Sequence, residues 1–196
     1  MSEIGYQMVK ENLSQFVDLT PSEFEKFTQQ LVYKSLKKKE VLLQEGEVCR
    51  NAYFISRGCL RYFFNLEGED KTGQFFFEGA WYTDFESYIT GQPSSENIQA
   101  LEASELLLLS RKSLLQLFDE IPKLERFGRL IAENAFLGVK ARNNSFLNQT
   151  PEERYQTLLR ESPKVISRIP QHYIASYLGI KPESLSRIRK RMADNT

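Results

Sequence analysis

Histidine and cysteine are scarce in this chain, which has one histidine, His172, and two cysteines, Cys49 and Cys59. These are too few for a histidine-rich catalytic metal centre, a four-cysteine zinc site or a cysteine-ligated iron–sulfur cluster. A single pair of cysteines is a weak disulfide signal, and reduced thiols are the simpler interpretation. We therefore expect no metal site and no cofactor.

Long apolar runs are also missing, since no stretch approaches the roughly 20 residues that a membrane helix needs. The opening residues, Met1 to Gly5, lack the basic and apolar regions of a signal peptide. We expect a cytoplasmic protein that does not contact a membrane.

An excess of charge of one sign is missing from the whole chain, because 26 Lys and Arg residues balance 26 Asp and Glu residues. The balance differs by region: residues 151–196 contain nine basic and five acidic residues, a net charge of +4, and the other 150 residues carry −4. A length of 196 residues, 41% of them hydrophobic, fits one domain or two small ones. The basic end is the part suited to nucleic acid.

The first two thirds of the chain change from helical to β periodicity. Thr20 and Glu23 form a capping box that predicts a helix from Pro21 to about Val32, with a shorter one before it. Short β-prone runs with glycines between them fill residues 41–77, and further strands are predicted at 97–102 and 105–110. The segment 81–91 is interpreted as a short helix or lid. Many short strands at close spacing predict an antiparallel sandwich, barrel or roll.

A long helix is predicted after Pro122, reaching about Asn148. One stripe of this helix follows an alternating spacing of three and four residues: Leu124, Phe127, Ile131, Asn134, Gly138 and Ala141. The stripe could pack on the β domain, but such a helix is longer than the side of a small domain, so we favour a dimer seam. Thr150 and Glu153 then form another capping box, which starts a new helix.

The segment 169–192 has the pattern of a helix-turn-helix. A short helix runs through Tyr177, Gly179 supplies the turn, and Pro182 begins a second helix whose Leu185 and Ile188 face the core. An exposed glutamate and arginine near the start of that helix suit cytosine N4 and guanine O6/N7. The basic cluster at residues 187–191 would neutralise phosphates. A helical hairpin with a solvated charged face is the alternative.

The order of these parts resembles the Crp/Fnr family of bacterial transcription regulators over nearly the full chain. The motifs that carry the resemblance are Ile-Ala-Ser-Tyr-Leu-Gly-Ile at 174–180 and Glu-Ser-Leu-Ser-Arg-Ile-Arg at 183–189, which are similar to a subgroup common in Bacteroidetes. The resemblance implies an α+β fold: an N-terminal antiparallel β-roll of the cyclic-nucleotide-binding type, a long dimerisation helix and a C-terminal winged helix-turn-helix. It corresponds to domains at residues 1–121, 122–149 and 150–196.

The resemblance also implies partners and their contact residues. A homodimer would read a palindrome in double-stranded DNA, with RNA polymerase and an unknown small-molecule effector as further candidate partners. Base readout falls on Glu183, Ser184 and Arg187, while Pro182 replaces a basic residue that often precedes the glutamate. Phosphate contacts fall on Gln171, His172 and Lys181, and the basic cluster adds Arg189, Lys190 and Arg191.

The sensor end matches the family less well. Cyclic-nucleotide-binding members carry a Gly-Glu-Leu turn and a later Arg-Ser pair, which here correspond to Thr83-Asp84-Phe85 and Ser94-Ser95. The phosphate-binding arginine is absent, so we expect no tight cAMP binding. The cysteine cluster of oxygen-sensing members is absent too. The roll has an aromatic-rich wall: Phe75, Phe77, Trp81, Tyr82, Phe85 and Tyr88. These rings could simply be core. Alternatively, a pocket for a more apolar effector would use these residues: Phe77, Trp81, Asp84, Phe85, Ser94 and Ser95.

Two other functions were weighed against DNA binding. A small-molecule-binding β-roll protein would use the C-terminal helices only to complete its fold. An enzyme is not expected, because a Cys–His pair would need His172 beside Cys49 or Cys59 across two predicted domains, and a cupin-type centre needs several ligands on adjacent strands.

Overall fold

The helices at the start of the chain begin where the capping signals place them. The computed structural model describes residues 3–194, and it opens with helices α1 (Glu3–Ser14) and α2 (Pro21–Gln29). The Thr20 hydroxyl accepts from the Glu23 amide at 3.3 Å, and the Glu23 carboxylate accepts from the Thr20 amide at 2.7 Å. The helix does not continue to Val32 as predicted. Leu31 already pairs with Leu109 in a strand, because the backbone of residues 31–36 is recruited into a sheet.

Within residues 3–194, eight strands form two four-stranded sheets. They are β1 (Leu31–Leu36), β2 (Val41–Leu43), β3 (Asn51–Arg57), β4 (Cys59–Leu66), β5 (Glu69–Phe77), β6 (Trp81–Tyr82), β7 (Asn97–Ala100) and β8 (Ser104–Ser110). The strand orders are β1-β8-β3-β6 and β2-β7-β4-β5. Every pairing described for β1, β2, β3 and β6 is antiparallel. The predicted antiparallel roll is therefore confirmed.

Helix α3 (Phe85–Thr90) and helix α4 (Arg111–Glu120) flank the last two strands, and helix α5 (Leu124–Asn148) is the predicted long helix. Four helices follow: α6 (Pro151–Glu161), α7 (Pro163–Arg168), α8 (Gln171–Leu178) and α9 (Pro182–Asp194). The segment 81–91 is a two-residue strand followed by a helix. Helix α7 was not predicted, because its first residue, Pro163, was interpreted as a break.

The chain divides into two compact units. The first comprises residues up to 62 together with 75–135, and the second comprises residues 63–74 together with 136 onwards. The predicted boundaries at 121/122 and 149/150 differ from this division, which also assigns the tip of the β4–β5 hairpin to the second unit. Between Gln149 and Asp194 the described residues form no strand, so the wing that the resemblance implies is not built from them.

The core of the first unit consists of apolar side chains from both sheets and the surrounding helices. Phe27, Phe54, Ile55, Leu60 and Ile98 are completely buried. Cys49 and Cys59 are buried free thiols. Among residues 3–194, none of the helices combines the length and the apolar character needed to cross a membrane.

Candidate nucleic-acid interface and ligand pocket

The helix-turn-helix is formed by α8 and α9 as predicted. Ala175 is completely buried, and Leu185 and Ile188 of α9 are 1% and 5% exposed. Gly179 ends α8 with φ +71°, a conformation that residues with a Cβ rarely adopt. A Cβ at this position would also lie 2.9 Å from the Phe146 ring. The turn therefore requires glycine for both its backbone conformation and its packing.

The outward face of α9 carries the predicted base-reading residues. Glu183 and Arg187 are exposed, and Ser184 is half-buried. The guanidinium of Arg187 donates to the Ser184 hydroxyl at 3.3 Å. Residues three or four positions apart share a helix face, which adds exposed Lys190 to Arg187. Glu183, Arg187 and Lys190 thus form one surface, called here the α9 face.

The predicted phosphate contacts do not all lie on that surface. Gln171 and His172 are exposed at the start of α8, and Lys181 is exposed just before α9. Arg189 is turned about 200° from Arg187 around the helix axis, because successive residues rotate by about 100°. It therefore lies away from the α9 face.

The guanidinium of Arg191 is already paired. It donates to the Glu152 carboxylate of α6 at 2.7 Å, and both side chains are partly exposed. To contact a phosphate, Arg191 would have to exchange this ion pair for the new contact, and its assignment as a phosphate contact stays a prediction.

Two arginines that were not predicted support the helix-turn-helix from within the second unit. Arg154 donates through Nε and Nη2 to the Leu178 carbonyl at 3.2 and 2.9 Å, and through Nη1 to the Gln149 carbonyl at 2.7 Å. Arg142 donates to the carbonyls of Thr72 and Tyr177 at 3.1 and 3.0 Å. Last-turn carbonyls have no partner within their own helix, so the guanidinium of Arg154 satisfies the ends of α5 and α8. No local pattern in the sequence predicts the hydrogen bonds of Arg142 and Arg154 to these carbonyls.

The tip of the β4–β5 hairpin is bonded to α8 in the same unit. The Ser176 hydroxyl donates to the Asp70 carbonyl at 2.7 Å and accepts from the Thr72 amide at 2.9 Å. Acidic residues crowd this tip, and the pKa of Glu69 is lowered, first by its hydrogen bond to Lys71 and more weakly by Lys181. The charge of Lys181, which precedes α9, therefore interacts with the carboxylate of Glu69 at this tip.

The stripe predicted as a dimer seam is divided by the structure. Leu124 and Phe127 are 0% and 4% exposed in the core of the first unit, and Ile131 packs against that core. Leu124 and Phe127 cannot meet a partner, because their own sheet and helices cover them, whereas Ile131 is half-buried. Asn134, Gly138 and Ala141 are exposed.

A different stripe of α5 is both apolar and exposed. It runs through Ala132, Phe136, Val139, Asn143 and Leu147, at successive steps of four, three, four and four residues. Phe136, Val139 and Leu147 are 66%, 57% and 81% exposed. These five residues are called here the exposed α5 stripe.

Inside the β-roll, the positions that match the cyclic-nucleotide turn have other partners. Asp84 caps α3 by accepting from the Ser87 amide at 3.2 Å. The Ser94 hydroxyl donates to the Glu96 carbonyl at 3.0 Å and accepts from the Glu96 amide at 3.1 Å. Ser95 is exposed. The predicted effector residues are therefore not gathered around one cavity.

Aromatic rings and a buried carboxyl group occupy this part of the roll. Tyr82 stacks on Phe76 at 4.0 Å and on Tyr62 at 5.5 Å between ring centroids. Its hydroxyl donates a hydrogen bond to the Glu96 carboxylate. Burial raises the pKa of Glu96 from 4.5 to about 7. The Glu96 carboxyl group is either negative or neutral, whereas a cyclic phosphate bound here would require a cation.

Two of the predicted effector residues, Trp81 and Phe85, line an apolar cleft in the first unit. The cleft encloses about 480 Å³, part of it open to solvent. Its lining comes from the strands and from helices α3, α4 and α5: Ala52, Trp81, Tyr82, Thr83, Phe85, Tyr88, Leu109, Leu114, Phe127, Gly128 and Ile131. Within residues 3–194, no group of three or more His, Cys, Asp or Glu side chains is placed to hold a metal ion.

Comparison with known protein families gives a match for the β-roll. Residues 33–120 match the family model of the cyclic nucleotide-binding domain. No curated protein sequence is significantly similar to the chain.

Solved structures share the architecture of the whole chain. FixK2 from Bradyrhizobium japonicum has a TM-score of 0.75 at 19% identity, over 84% of this chain and 85% of that one. The c-di-GMP-responsive global regulator CLP from Xanthomonas campestris has a TM-score of 0.72 at 15% identity, over 90% and 93% of the two chains. A protein from Eubacterium rectale assigned to the Crp/Fnr family has a TM-score of 0.70 at 14% identity, over 91% and 85%. The fold implied by the resemblance is confirmed: residues 33–120 match the family model of the cyclic nucleotide-binding domain, and the chain has the fold of the Crp/Fnr regulators.

Proposed function

We propose that this protein is a homodimeric, sequence-specific DNA-binding transcription regulator and not an enzyme. The observation that carries the proposal is the α9 face, on which Glu183, Arg187 and Lys190 project from a packed helix-turn-helix. The structural neighbours, which include transcription regulators of this fold, support it.

The chemistry of the α9 face suits base recognition in the major groove. The Arg187 guanidinium can donate two hydrogen bonds to guanine O6 and N7, and the Glu183 carboxylate can accept from cytosine N4. Because Pro182 carries no donor, one base contact common in the family is lost. We therefore expect the operator of this protein to differ from the operators of family members that have a basic residue at the position of Pro182.

Affinity would come mainly from phosphate contacts. Residues 151–196 carry +4 while the rest of the chain carries −4. Exposed Gln171, His172, Lys181 and Lys190 lie beside or on the α9 face. An acidic body and a basic end would orient the chain as it approaches DNA.

The exposed α5 stripe supports dimerisation through the second half of the long helix. Large apolar side chains such as Phe136, Val139 and Leu147 are rarely left in water in such a regular row. Their spacing of three and four residues is that of helix pairs that pack in a coiled coil. A second copy of the chain presents an identical stripe, so a two-fold dimer would cover both.

The test is a selection of bound sequences from random double-stranded DNA, followed by anisotropy titrations of the selected operator. We expect a palindromic product and affinity that falls steeply with salt. Arg187→Ala is expected to weaken operator binding by roughly ten- to a hundredfold and to relax one base position, since a bidentate base contact contributes about 1 to 3 kcal/mol.

Arg160→Ala is the matched control, because Arg160 is an exposed arginine of α6 that pairs only with neighbouring Glu161. It should leave operator preference unchanged. If Arg187→Ala discriminates as well as the unmodified chain, the base-reading role of Arg187 is wrong. A chain that selects no DNA sequence would instead support the alternative, a ligand-binding roll with structural C-terminal helices.

A further inference from the structure

The apolar cleft contains one polar side-chain group that the protein leaves without a partner. Tyr88 is 5% exposed, and its hydroxyl is buried with no hydrogen bond to any described residue. Buried polar groups are nearly always paired, because an unpaired one costs free energy on folding. The exception requires a physical explanation at this position.

The other polar groups of the cleft lining are all occupied. The Trp81 indole Nε1 donates to Asn12 at 3.0 Å, and the Thr83 hydroxyl donates to the Asn51 carbonyl at 3.0 Å. The Tyr82 hydroxyl donates to Glu96. Of the polar side chains in the lining, only that of Tyr88 has no hydrogen-bond partner among residues 3–194.

The rest of the lining disfavours a charged ligand and favours an aromatic one. The eleven lining residues include no charged side chain. Trp81, Phe85 and Phe127 bring aromatic surfaces to the cleft, and aromatic side chains interact favourably with a ring placed edge-on or offset. The roughly 480 Å³ of empty space in the cleft includes its part open to solvent, so the enclosed portion suits only a compact molecule.

We propose that this cleft binds a compact, uncharged aromatic molecule bearing one oxygen that accepts a hydrogen bond from the Tyr88 hydroxyl. The cleft shares Tyr82 with the interior of the roll at Glu96, and the proposal does not depend on the proposed DNA binding. Burial raises the pKa of Tyr88 to about 12, with the Arg111 guanidinium opposing the shift. The hydroxyl therefore keeps its proton at neutral pH and is a donor.

The chain contains its own reporter for this site. Trp81 is the only tryptophan, so the protein has a single indole Nε1–H resonance, and that residue lines the cleft. The experiment follows this resonance by NMR while the full chain is titrated with acetophenone, and separately with ethylbenzene, which has nearly the same shape but no oxygen.

We expect saturable shifts with both probes and about tenfold tighter binding of acetophenone, the ratio that one hydrogen bond to a buried group provides. Tyr88→Phe should remove this preference while ethylbenzene still binds. Tyr33→Phe, a substitution at a partly exposed tyrosine of β1 outside the lining, should keep it. Ile131→Trp, which fills the cleft, should abolish the shifts of both probes.

Several results would overturn the proposal. They are the absence of a saturable shift in the unmodified chain, equal affinities for the two probes, and a preference for acetophenone that survives Tyr88→Phe. Benzoate provides the last arm, because the Arg111 guanidinium lies 5.6 Å from the Tyr88 ring centroid. If benzoate binds more tightly than acetophenone, the site selects an anion and the neutral class is wrong.

Discussion

The hydroxyl of Tyr82 donates a hydrogen bond to the carboxylate of Glu96 inside the β-roll. Glu96 is only 8% exposed, and burial is the main reason that its pKa rises from 4.5 to about 7. The Tyr82 hydrogen bond opposes that rise, and burial with the nearby Glu96 charge raises the pKa of Tyr82 well above its ordinary value. The pair therefore holds an ionisable carboxyl group where the fold excludes most water.

This pair predicts stability that falls between mildly acidic and neutral pH. The folded chain favours the protonated form of Glu96, so its contribution is complete below about pH 4.5 and is lost as pH rises to about 7. Glu96→Gln should be more stable than the unmodified chain at pH 8, by about 2 to 3 kcal/mol. Urea denaturation from pH 5 to 8 measures both effects. Glu86→Gln on the exposed side of α3 is the control and should leave the pH profile unchanged.

The same region predicts that cAMP does not bind tightly. Ser94 stands where the phosphate-binding arginine of the family is expected, and Tyr62, Phe76 and Tyr82 are stacked beside Glu96. Isothermal titration with cAMP should give no saturable heat at micromolar ligand, because a buried phosphodiester would lack a cation. A micromolar or tighter dissociation constant would contradict the interpretation.

The exposed α5 stripe predicts which substitutions would separate the proposed dimer. Val139→Asp should weaken self-association at least about tenfold, since a carboxylate would be buried against an apolar partner. Ala141→Asp places the same charge on the stripe first predicted from the sequence and should have little effect. Light scattering over a concentration series compares the two variants. A stronger effect of Ala141→Asp would favour the original seam.

Arg154 predicts a stability effect in the second unit. Replacement by Met keeps much of the apolar stem and leaves the Leu178 and Gln149 carbonyls without their guanidinium donor, at a cost of roughly 1 to 3 kcal/mol. Arg160→Met, at an exposed arginine of α6, should change the free energy of unfolding by much less. Equal losses in urea denaturation would show that the three Arg154 bonds contribute nothing specific.

Local signals in the sequence were reliable where one short motif determines structure. The capping boxes at Thr20 and Thr150, the Gly179 turn and the buried side of α9 are all formed as predicted. Strand β1 was missed, because Leu31, Val32 and Tyr33 continue a helical apolar pattern and the strand forms only through pairing with distant β8.

Interactions between distant residues account for the other differences. The long helix has two stripes with steps of three and four residues, and only the packing of the roll determines that Leu124 and Phe127 are covered while Phe136 and Val139 are not. The pairing of Arg191 with Glu152 and the cleft around Tyr88 join residues far apart in sequence. Periodicity within one segment contains no information about these contacts.

The bonds between Ser176 and the hairpin tip have a consequence for dividing this protein into fragments. A fragment of residues 136–196 would be synthesised without Asp70 and Thr72, whose backbone groups bond the Ser176 hydroxyl, and Arg142 would lose one of its two carbonyl acceptors. The unit proposed to read DNA is therefore built from two separate stretches of the sequence, residues 63–74 and residues from 136 onwards. Transplanting its specificity into another regulator would require the hairpin residues 63–74 to be moved with it.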